Sequence, residues 1–397
     1  MTPPVLRLGI AGLGLASTFT LPAFAKHARV RLAAAADLRR PARERFAAEF
    51  GAKTFETIET LCASPDVDAV YIATPNDLHA EHAIVAAEHR KHVIVEKPMA
   101  LTIGACEAMN AAAQRNGIYL LCGHTHSFAP PIRRMREIIN SGELGRLTML
   151  HTWNYTDLLY RPRMAWELDT RRGGGVVFVQ APHQVDIVRL LSGGLVRSVR
   201  AMTGAWATER PTEGNYAAYL EFEDGTPATL VYSGYAHFDT AELHEWVGER
   251  GQARDPETHA RGRAAFQALG MGDATELETR LRESKRYGGE SPRTAGGPAA
   301  HQVFGLTLAS CERGDLRQAP GGLYVYGDDG RQEIPVPLEP SGATAVIDEL
   351  YEAIRTDTPP PHDGRWGEAT VEVCLAILES ARLRREIFLS HQVPWRG

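Results

Sequence analysis

The stretch VLRLGIAGLGLAS, at residues 5–17, decides the fold of this chain of 397 residues. A short apolar run ends in two closely spaced glycines, Gly12 and Gly14, and a helical pattern follows. A pyrophosphate needs backbone N–H groups at close range and the positive end of a helix, and only glycine lets the chain come that near. The stretch therefore predicts a strand, a dinucleotide-binding turn and a helix, with Leu15 and Ala16 beside the cofactor.

The acidic residue that such a turn requires stands about 20 residues further on. Asp37 closes the apolar run at residues 30–36, where its carboxylate can accept both ribose hydroxyls of an adenosine. A carboxylate there repels the extra phosphate of NADP, so the cofactor that we predict is NAD. Arg39 and Arg40 follow closely and could accept a 2′-phosphate, which keeps NADP as the alternative.

The order of apolar runs predicts two domains. Up to about residue 124, apolar strands alternate with amphipathic helices, which is typical of a parallel sheet covered on both faces. From about residue 145, longer strand-like runs such as LTMLHTW and AAYLEF replace this pattern. We expect an α/β chain with an N-terminal Rossmann dinucleotide-binding domain at residues 1–124. A C-terminal α+β domain at residues 125–397 carries a large, mostly antiparallel open sheet, with an insertion at about residues 250–298.

Composition excludes several classes of partner. The formal charge of −6 is too small to favour nucleic acid, and no apolar run is long enough to predict a membrane span. Five cysteines without a CxxC pair fit reduced thiols, so we expect a cytoplasmic protein. Without a matching set of cysteines, histidines and carboxylates, we predict no metal.

A lysine directly after a glutamate ends the strand-like run HVIVEKPM, and this chain has few lysines. Four ordered motifs, GLGLAS, ATPNDLH, Glu96-Lys97-Pro98 and GGGVVFVQAPHQVD, together resemble the Gfo/Idh/MocA oxidoreductase family. The segments HTHSFAPP, YRPR and HDGRW, with the insertion, resemble its phthalate 4,5-cis-dihydrodiol dehydrogenase branch.

The resemblance implies several contacts of the cofactor. The Glu-Lys-Pro strand would face the nicotinamide, with Glu96 on the nicotinamide ribose or holding Lys97 in place. The loop after the third Rossmann strand would supply the remaining contacts, namely Thr74, Pro75, Asn76 and His79. The family also implies a homodimer or homotetramer.

Oxidation of a secondary alcohol requires a base beside the carbon that loses its hydride. Lys97, which burial beside a cationic ring would push towards its neutral form, is one candidate. His183 is the second, and Asp186 lies three residues later on the same helix face. We assign Lys97 and His183 jointly as the proton-handling pair, with Asp186 orienting or polarising; the sequence leaves the order of transfer open. Val179 and Ala181 depart from the family, which often has Asp and Gly there.

The substrate that the branch implies is a small molecule with two carboxylates, which guanidinium groups bind well. We expect Arg161 or Arg163 to bind it, with His126, Tyr155, Asp157 and Tyr160 as neighbours. The resemblance thus implies an NAD(P)-dependent dehydrogenase acting on CH–OH or CH–CH groups, which converts a carboxylated aromatic cis-dihydrodiol to a catechol. The alternatives are a sugar or cyclitol dehydrogenase of the same family and a non-catalytic NAD-binding sensor.

Overall fold

The N-terminal part of the chain forms a six-stranded parallel sheet in the computed structural model, which describes residues 5–123, 126–258, 261–268, 274–291 and 300–397. The strand order β3-β2-β1-β4-β5-β6 places the ends of β1 and β4 side by side, with Ala11 paired to Ile72. The elements are β1 (Leu6–Ala11), α1 (Leu15–Lys26), β2 (Val30–Ala36), α2 (Arg40–Phe50), β3 (Lys53–Phe55), α3 (Ile58–Cys62), β4 (Ala69–Ile72), α4 (His79–Glu88), β5 (His92–Val95), α5 (Ile103–Asn116) and β6 (Leu120–Cys122).

These strands are short and apolar on both sides because helices cover both faces of the sheet. The four residues of β4 are all buried, as are all of β1 except Arg7. Two apolar clusters lie on opposite faces, one around Val70 and Val93 and the other around Ile10 and Tyr71. The predicted Rossmann architecture is confirmed.

The second sheet has nine strands in the order β14-β13-β12-β11-β7-β10-β9-β8-β15. Only β7 and β10 pair in parallel, so the prediction of a mostly antiparallel sheet is confirmed. Its strands are β7 (Leu147–Tyr155), β8 (Val196–Gly204), β9 (Asn215–Phe222), β10 (Pro227–Ser233), β11 (Leu306–Cys311), β12 (Gly314–Ala319), β13 (Gly322–Gly327), β14 (Gly330–Pro335) and β15 (Ile387–Phe388).

Helices cover one face of this sheet only. Along β7, Leu150, Thr152 and Asn154 are buried, whereas Met149 and Trp153 are exposed, as the two-residue period of a strand requires. The helices of this half of the chain are α6 (Pro130–Ser141), α7 (Gly175–Val179), α8 (Ala181–Ser192), α9 (Arg261–Ala268), α10 (Ala274–Ser284), α11 (Gly342–Thr356) and α12 (Gly364–Leu383). Among the described residues, none of the helices combines the length and apolarity needed to cross a membrane.

Two late helices join the halves of the molecule. Helix α12 packs on β8 of the second sheet and on α5 beside the first. Helix α11 packs on α1, and its Val346 and Leu350 belong to the same apolar cluster as Phe24. The chain therefore returns to its N-terminal domain near its end.

The segment after residue 250 docks on both halves. Within α10, Glu278 is 3% exposed and receives two hydrogen bonds from Arg210, which is also 3% exposed. Just beyond that helix, Tyr287 packs against Phe46 of α2 and donates its hydroxyl hydrogen to Glu49 at 2.8 Å. The segment thus extends from the second domain to the first.

The Arg210–Glu278 pair provides a test of this docking. Arg210→Met leaves a buried carboxylate without its main partner, which costs about 3–5 kcal/mol. We expect the free energy of unfolding, measured by urea denaturation, to fall by that amount. The double variant Arg210→Met/Glu278→Met should recover most of the loss, and Arg331→Met, at an exposed position of β14, should lose little. A single variant as stable as the wild type contradicts the docked arrangement.

Candidate active site

The glycine turn between β1 and α1 lies against the loop that follows β4. Gly12 has φ of +91°, and a Cβ there would be 2.7 Å from the Ala73 carbonyl oxygen, so a side chain is excluded. Gly14 precedes α1 in extended conformation, and no side chain caps this helix N-terminus. Ser17, where the motif usually has a smaller residue, is buried and donates to the Gly12 carbonyl at 2.5 Å. Uncapped N–H groups beside Leu15 and Ala16 fit a pyrophosphate.

Asp37 stands at the end of β2 and faces this turn. Its carboxylate accepts hydrogen bonds from the Leu13 N–H at 2.7 Å and from the Arg39 N–H at 2.8 Å. The Arg39 guanidinium bonds Asp37, the Leu13 carbonyl and, at 3.2 Å, the Tyr287 carbonyl. Arg39 is thus held by protein groups, and Arg40 pairs with Glu44 at 2.7 Å on the surface. The arrangement fits an adenosine ribose better than a 2′-phosphate.

The loop after β4 divides into residues that can face a cofactor and residues that brace the fold. Thr74 and Pro75 follow the strand directly beside Gly12. Asn76 donates its amide hydrogen to the Gly173 carbonyl of the second domain at 2.8 Å. His79 is 1% exposed and its ring lies between the Pro98 and Thr74 carbonyls, at 2.8 and 3.0 Å. Burial lowers the pKa of His79 to about 4. Because both ring nitrogens lie beside protein carbonyls, this imidazole braces the loop.

Glu96 and Lys97 come at the end of β5, where the parallel strands end together. Glu96 accepts the Tyr71 hydroxyl hydrogen, and burial raises the pKa of its carboxyl. Burial also lowers the pKa of the Lys97 amine, against the opposing charges of Glu96 and Glu249. The Lys97 Nζ donates to the Val179 carbonyl of α7 at 2.8 Å. A lysine of the first domain is therefore bound to the helix pair of the second.

The triple glycine before α7 makes this approach of the two domains possible. Gly173 has φ of +80°, and a Cβ there would lie 2.8 Å from the Asn76 Cβ. Helix α7 follows at once, and α8 begins two residues after Val179. His183, in the first turn of α8, thus lies four residues from the carbonyl that Lys97 binds.

His183 belongs to an aromatic cluster with His126. Their rings meet edge to face with centroids 4.6 Å apart, and the Phe304 ring lies 4.8 Å from each of them. Burial lowers the pKa of His126 to about 3, and the positive charge of Lys97 adds to that shift. The structure therefore brings Lys97, His183 and His126 together.

Asp186 follows one turn after His183 and is fully buried. Its Oδ1 accepts a hydrogen bond from the indole N–H of Trp366, which lies in the first turn of α12. The negative charge of Asp186 opposes the lowering of the pKa of His126, so it acts within the same cluster. Asp186 thus ties α8 to α12.

The predicted substrate residues lie in different surroundings. Arg161 is half-buried and donates to Asp157 at 2.7 Å, and Asp157 also accepts the Gly262 N–H at the start of α9. Arg163 is 7% exposed and is bound to the Leu158 carbonyl and Glu167. Its guanidinium is part of an internal ion-pair network, so the structure does not bring it to the cluster.

The two tyrosines are also placed elsewhere than we expected. Tyr155 is on the face of β7 opposite to the helices, with its ring 6.0 Å from that of Phe238. Tyr160 packs against Phe266 of α9 and under the guanidinium of Arg263. Asn154, one residue before Tyr155, is buried on the helix-covered face and is hydrogen-bonded to Glu249 and Thr240.

Sequence reasoning missed the turn GERG at residues 248–251 as part of the site. Asn154 donates its amide hydrogen to Glu249 at 3.1 Å. Burial lowers the pKa of the Arg161 guanidinium, but the negative charges of Glu249 and Asp157 outweigh this effect, so the pKa is raised. The charge of Glu249 also opposes the lowering of the pKa of Lys97 by burial. No short motif marks this turn, because its function depends on contacts with residues far away in the sequence.

One group of potential metal ligands occurs among the described residues, Glu107, Glu368 and His391. None of the predicted catalytic residues belongs to it. His391 Nδ1 lies 3.0 Å from Glu368, and Asn110 donates to the same carboxylate at 2.7 Å, so the contacts between these groups are hydrogen bonds and an ion pair.

Two family models match the chain. One, described as an oxidoreductase family with an NAD-binding Rossmann fold, covers residues 6–124, and the other, the GFO/IDH/MocA C-terminal domain, covers residues 132–254. The 1-carboxy-3-chloro-3,4-dihydroxycyclohexa-1,5-diene dehydrogenase of Comamonas testosteroni is 41% identical over 382 residues, or 95% of this chain and 95% of that protein. These matches confirm the family resemblance and NAD as the cofactor.

Solved structures agree with this result. A protein from Bordetella bronchiseptica RB50, described as a dehydrogenase, is 42% identical with a TM-score of 0.91 over 97% of this chain and 100% of that one. The WlbA dehydrogenase of Bordetella pertussis, in complex with NADH and UDP-GlcNAcA, has a TM-score of 0.73 over 98% of this chain and 99% of its own. At 22% identity, that second likeness shows the fold alone.

Asp37 provides a test of cofactor choice. Asp37→Asn removes the charge that repels a 2′-phosphate and loosens Arg39, so the preference for NADH over NADPH should fall at least about tenfold. Fluorescence titration with each cofactor measures the two dissociation constants. Asp66→Asn, at a carboxylate that pairs with Lys53 on the surface, is the control and should leave the ratio unchanged. An unchanged ratio in Asp37→Asn would contradict the assigned role.

Proposed function

This chain belongs to the Gfo/Idh/MocA oxidoreductase family, and from that premise we propose that it oxidises a ring secondary alcohol of a carboxylated cis-dihydrodiol. The observation that carries the proposal is the bond between the Lys97 amine and the Val179 carbonyl, which brings an amine and two imidazoles to one cleft. The named substrate of the Comamonas testosteroni relative, a carboxylated dihydroxycyclohexadiene, supports the substrate class.

The glycine turn and the end of β5 would hold NAD at opposite ends of the cleft. Gly12 and Gly14 admit the pyrophosphate, Asp37 the adenosine ribose, and Glu96 the nicotinamide side. When bound, NAD supplies the hydride acceptor. The remaining work, which is to position the alcohol and take its proton, falls to side chains of this chain.

Lys97 is suited to take the hydroxyl proton. Burial shifts its amine towards the neutral form, and the Val179 carbonyl holds one of its N–H groups. A neutral amine keeps a lone pair that can accept a proton within hydrogen-bond reach. His183 and Lys97 then share the proton, and Asp186 fixes the helix that carries the imidazole.

The ring product of the reaction, a catechol, follows from the chemistry of the cis-dihydrodiol. Transfer of the hydride from one carbinol carbon to NAD and loss of the proton from its hydroxyl oxygen leave a ketone. The neighbouring carbinol carbon then loses its C–H proton while the ketone oxygen gains one, which gives the catechol. The gain of aromaticity makes the overall oxidation favourable, so positioning and one base are sufficient.

The test is a search for turnover, followed by removal of the proton-handling groups. Lys97→Met and His183→Asn should each lower kcat by about 10²–10⁴-fold with a cis-dihydrodiol of phthalate, while NAD binding changes little. Absorbance of the reduced nicotinamide measures the rate. Lys53→Met, at a surface lysine, is the matched control. Tight NAD binding without turnover of dihydrodiols or polyols would favour the sensor.

A pH profile separates catalysis by Lys97 from a structural role. Burial lowers the pKa of Lys97, so the active neutral amine becomes abundant at a lower pH than for a free lysine. The kcat/KM should rise with pH and level off below pH 10.5, the ordinary pKa of the group. In Lys97→Met this rise should disappear, and a rise that persists would assign it to another group.

We also infer that the open face of the second sheet forms a homodimer or homotetramer interface. Trp153 of β7 pairs with Val231, which pairs with Ala217 and then Met202, so these residues form one row across four strands. Trp153 is 43% and Met202 41% exposed, which is unusual for an uncovered surface of this extent.

Five unpaired cysteines fit a reducing, cytoplasmic compartment.

Light scattering after gel filtration tests the interface. Trp153→Arg places a charge in the middle of the apolar row and should convert the oligomer to monomers at micromolar concentration. Arg331→Met, at the edge of the same sheet, serves as the control. A wild type that elutes as a monomer contradicts the inference.

A further inference from the structure

A tight hairpin carries two charged residues to the mouth of the cleft. Val247 and Ala253 form an antiparallel bridge, and the Gly251 N–H donates to the Gly248 carbonyl at 2.9 Å. Gly251 has φ of +76°, which closes the turn. Glu249 and Arg250 are the two residues at its tip, and both project from a rigid backbone.

The tip of this hairpin contacts both domains. On one side Asn154 of the second sheet donates to Glu249 at 3.1 Å. On the other side the guanidinium of Arg250 stacks on Phe19 of α1, 3.7 Å from the ring centroid. An ion pair between Arg254 and Asp239, at 2.6 Å, anchors the base. The turn therefore bridges the cleft at a fixed position.

The charges around the tip are unbalanced. Arg163 and Arg282 share Glu167, so their charges are compensated inside the protein. Within the part of the chain that the structure describes, no ion pair or hydrogen bond is recorded for the guanidinium of Arg250. The Nε of Arg161 donates to Asp157, and the negative charge of Glu249 also acts on this guanidinium. Glu249 is thus a countercharge that acts on both Arg161 and Arg250.

We propose that Arg250, with Arg161, binds a carboxylate of the substrate ring and that Glu249 is the countercharge that this carboxylate replaces. The inference rests on the proposed function. A guanidinium held over an aromatic ring has lost part of its rotational freedom, so it can pair with a planar carboxylate at a lower entropic cost.

The pyrophosphate of the cofactor, like a carboxylate, is an anion whose oxygens accept hydrogen bonds from a guanidinium. It is the other anion that Arg250 could bind. Glu249, the residue before Arg250, is bound by Asn154 of the second sheet, and the charge of Arg250 adds to the lowering of the pKa of His126, which packs on His183. Both observations favour the substrate side. The two sources differ in what a variant would lose: NAD affinity in one case, and discrimination between carboxylated and uncarboxylated rings in the other.

The experiment compares two cis-dihydrodiols that differ only in ring carboxylation. Arg250→Gln should raise KM for the carboxylated diol about 10- to 100-fold, as expected for a lost charge-assisted pair, and change KM for the uncarboxylated diol less than about twofold. Arg250→Lys should give an intermediate loss, and Glu249→Gln should lower KM for the carboxylated diol. Arg331→Gln, whose guanidinium also stacks on an aromatic ring, Tyr324 at 4.5 Å, is the matched control.

Calorimetry with phthalate and the NAD-loaded protein tests the arginine independently of turnover. Phthalate affinity lost in Arg250→Gln and kept in Arg331→Gln supports the site, even if the wild type oxidises neither diol and the proposed function falls. Equal losses on both diols, unchanged phthalate affinity, or weaker NAD binding with intact discrimination would each overturn the assignment of Arg250 to the substrate.

Discussion

The hydrogen bond from the Lys97 amine to the Val179 carbonyl is the contact on which the site depends. It joins the end of β5 to the end of α7, two residues before the helix that carries His183, so this bond links the two domains at the candidate site. Burial at this junction shifts the amine towards neutrality, and the same burial keeps His126 uncharged. Burial at the domain junction therefore accounts both for the position of Lys97 and His126 and for their protonation states.

Much of the fold was predictable from local pattern. Glycine spacing, strand length and alternation are properties of a few neighbouring residues, which is why the Rossmann half and the open sheet agree with expectation. Helix α11 is different, because its apolar face is satisfied by α1, more than 300 residues earlier in the chain. No local pattern states which of two cores an amphipathic helix will join.

The placement of candidate site residues was predictable where it follows from their position on the backbone, as for Gly12, Asp37, Lys97 and His183, whose roles stay predictions. It was not predictable where a competing partner decides. Arg163 and His79 each have the right chemistry for a ligand, yet buried carbonyls and carboxylates already occupy them. A shift of one residue along β7 likewise exchanges Tyr155 for Asn154, since adjacent strand residues face opposite sides. Such partners become visible only in three dimensions.

The segment from α10 to Tyr287 acts as a strut between the domains. Glu278 fixes one end to Arg210, and Tyr287 fixes the other to α2, with only a few residues between them. Hinge opening, by which many enzymes admit substrate and assemble their catalytic groups, has little room in such a frame. A cleft of constant width spends no binding energy on closure, and it must select its ligands by shape and charge at the entrance.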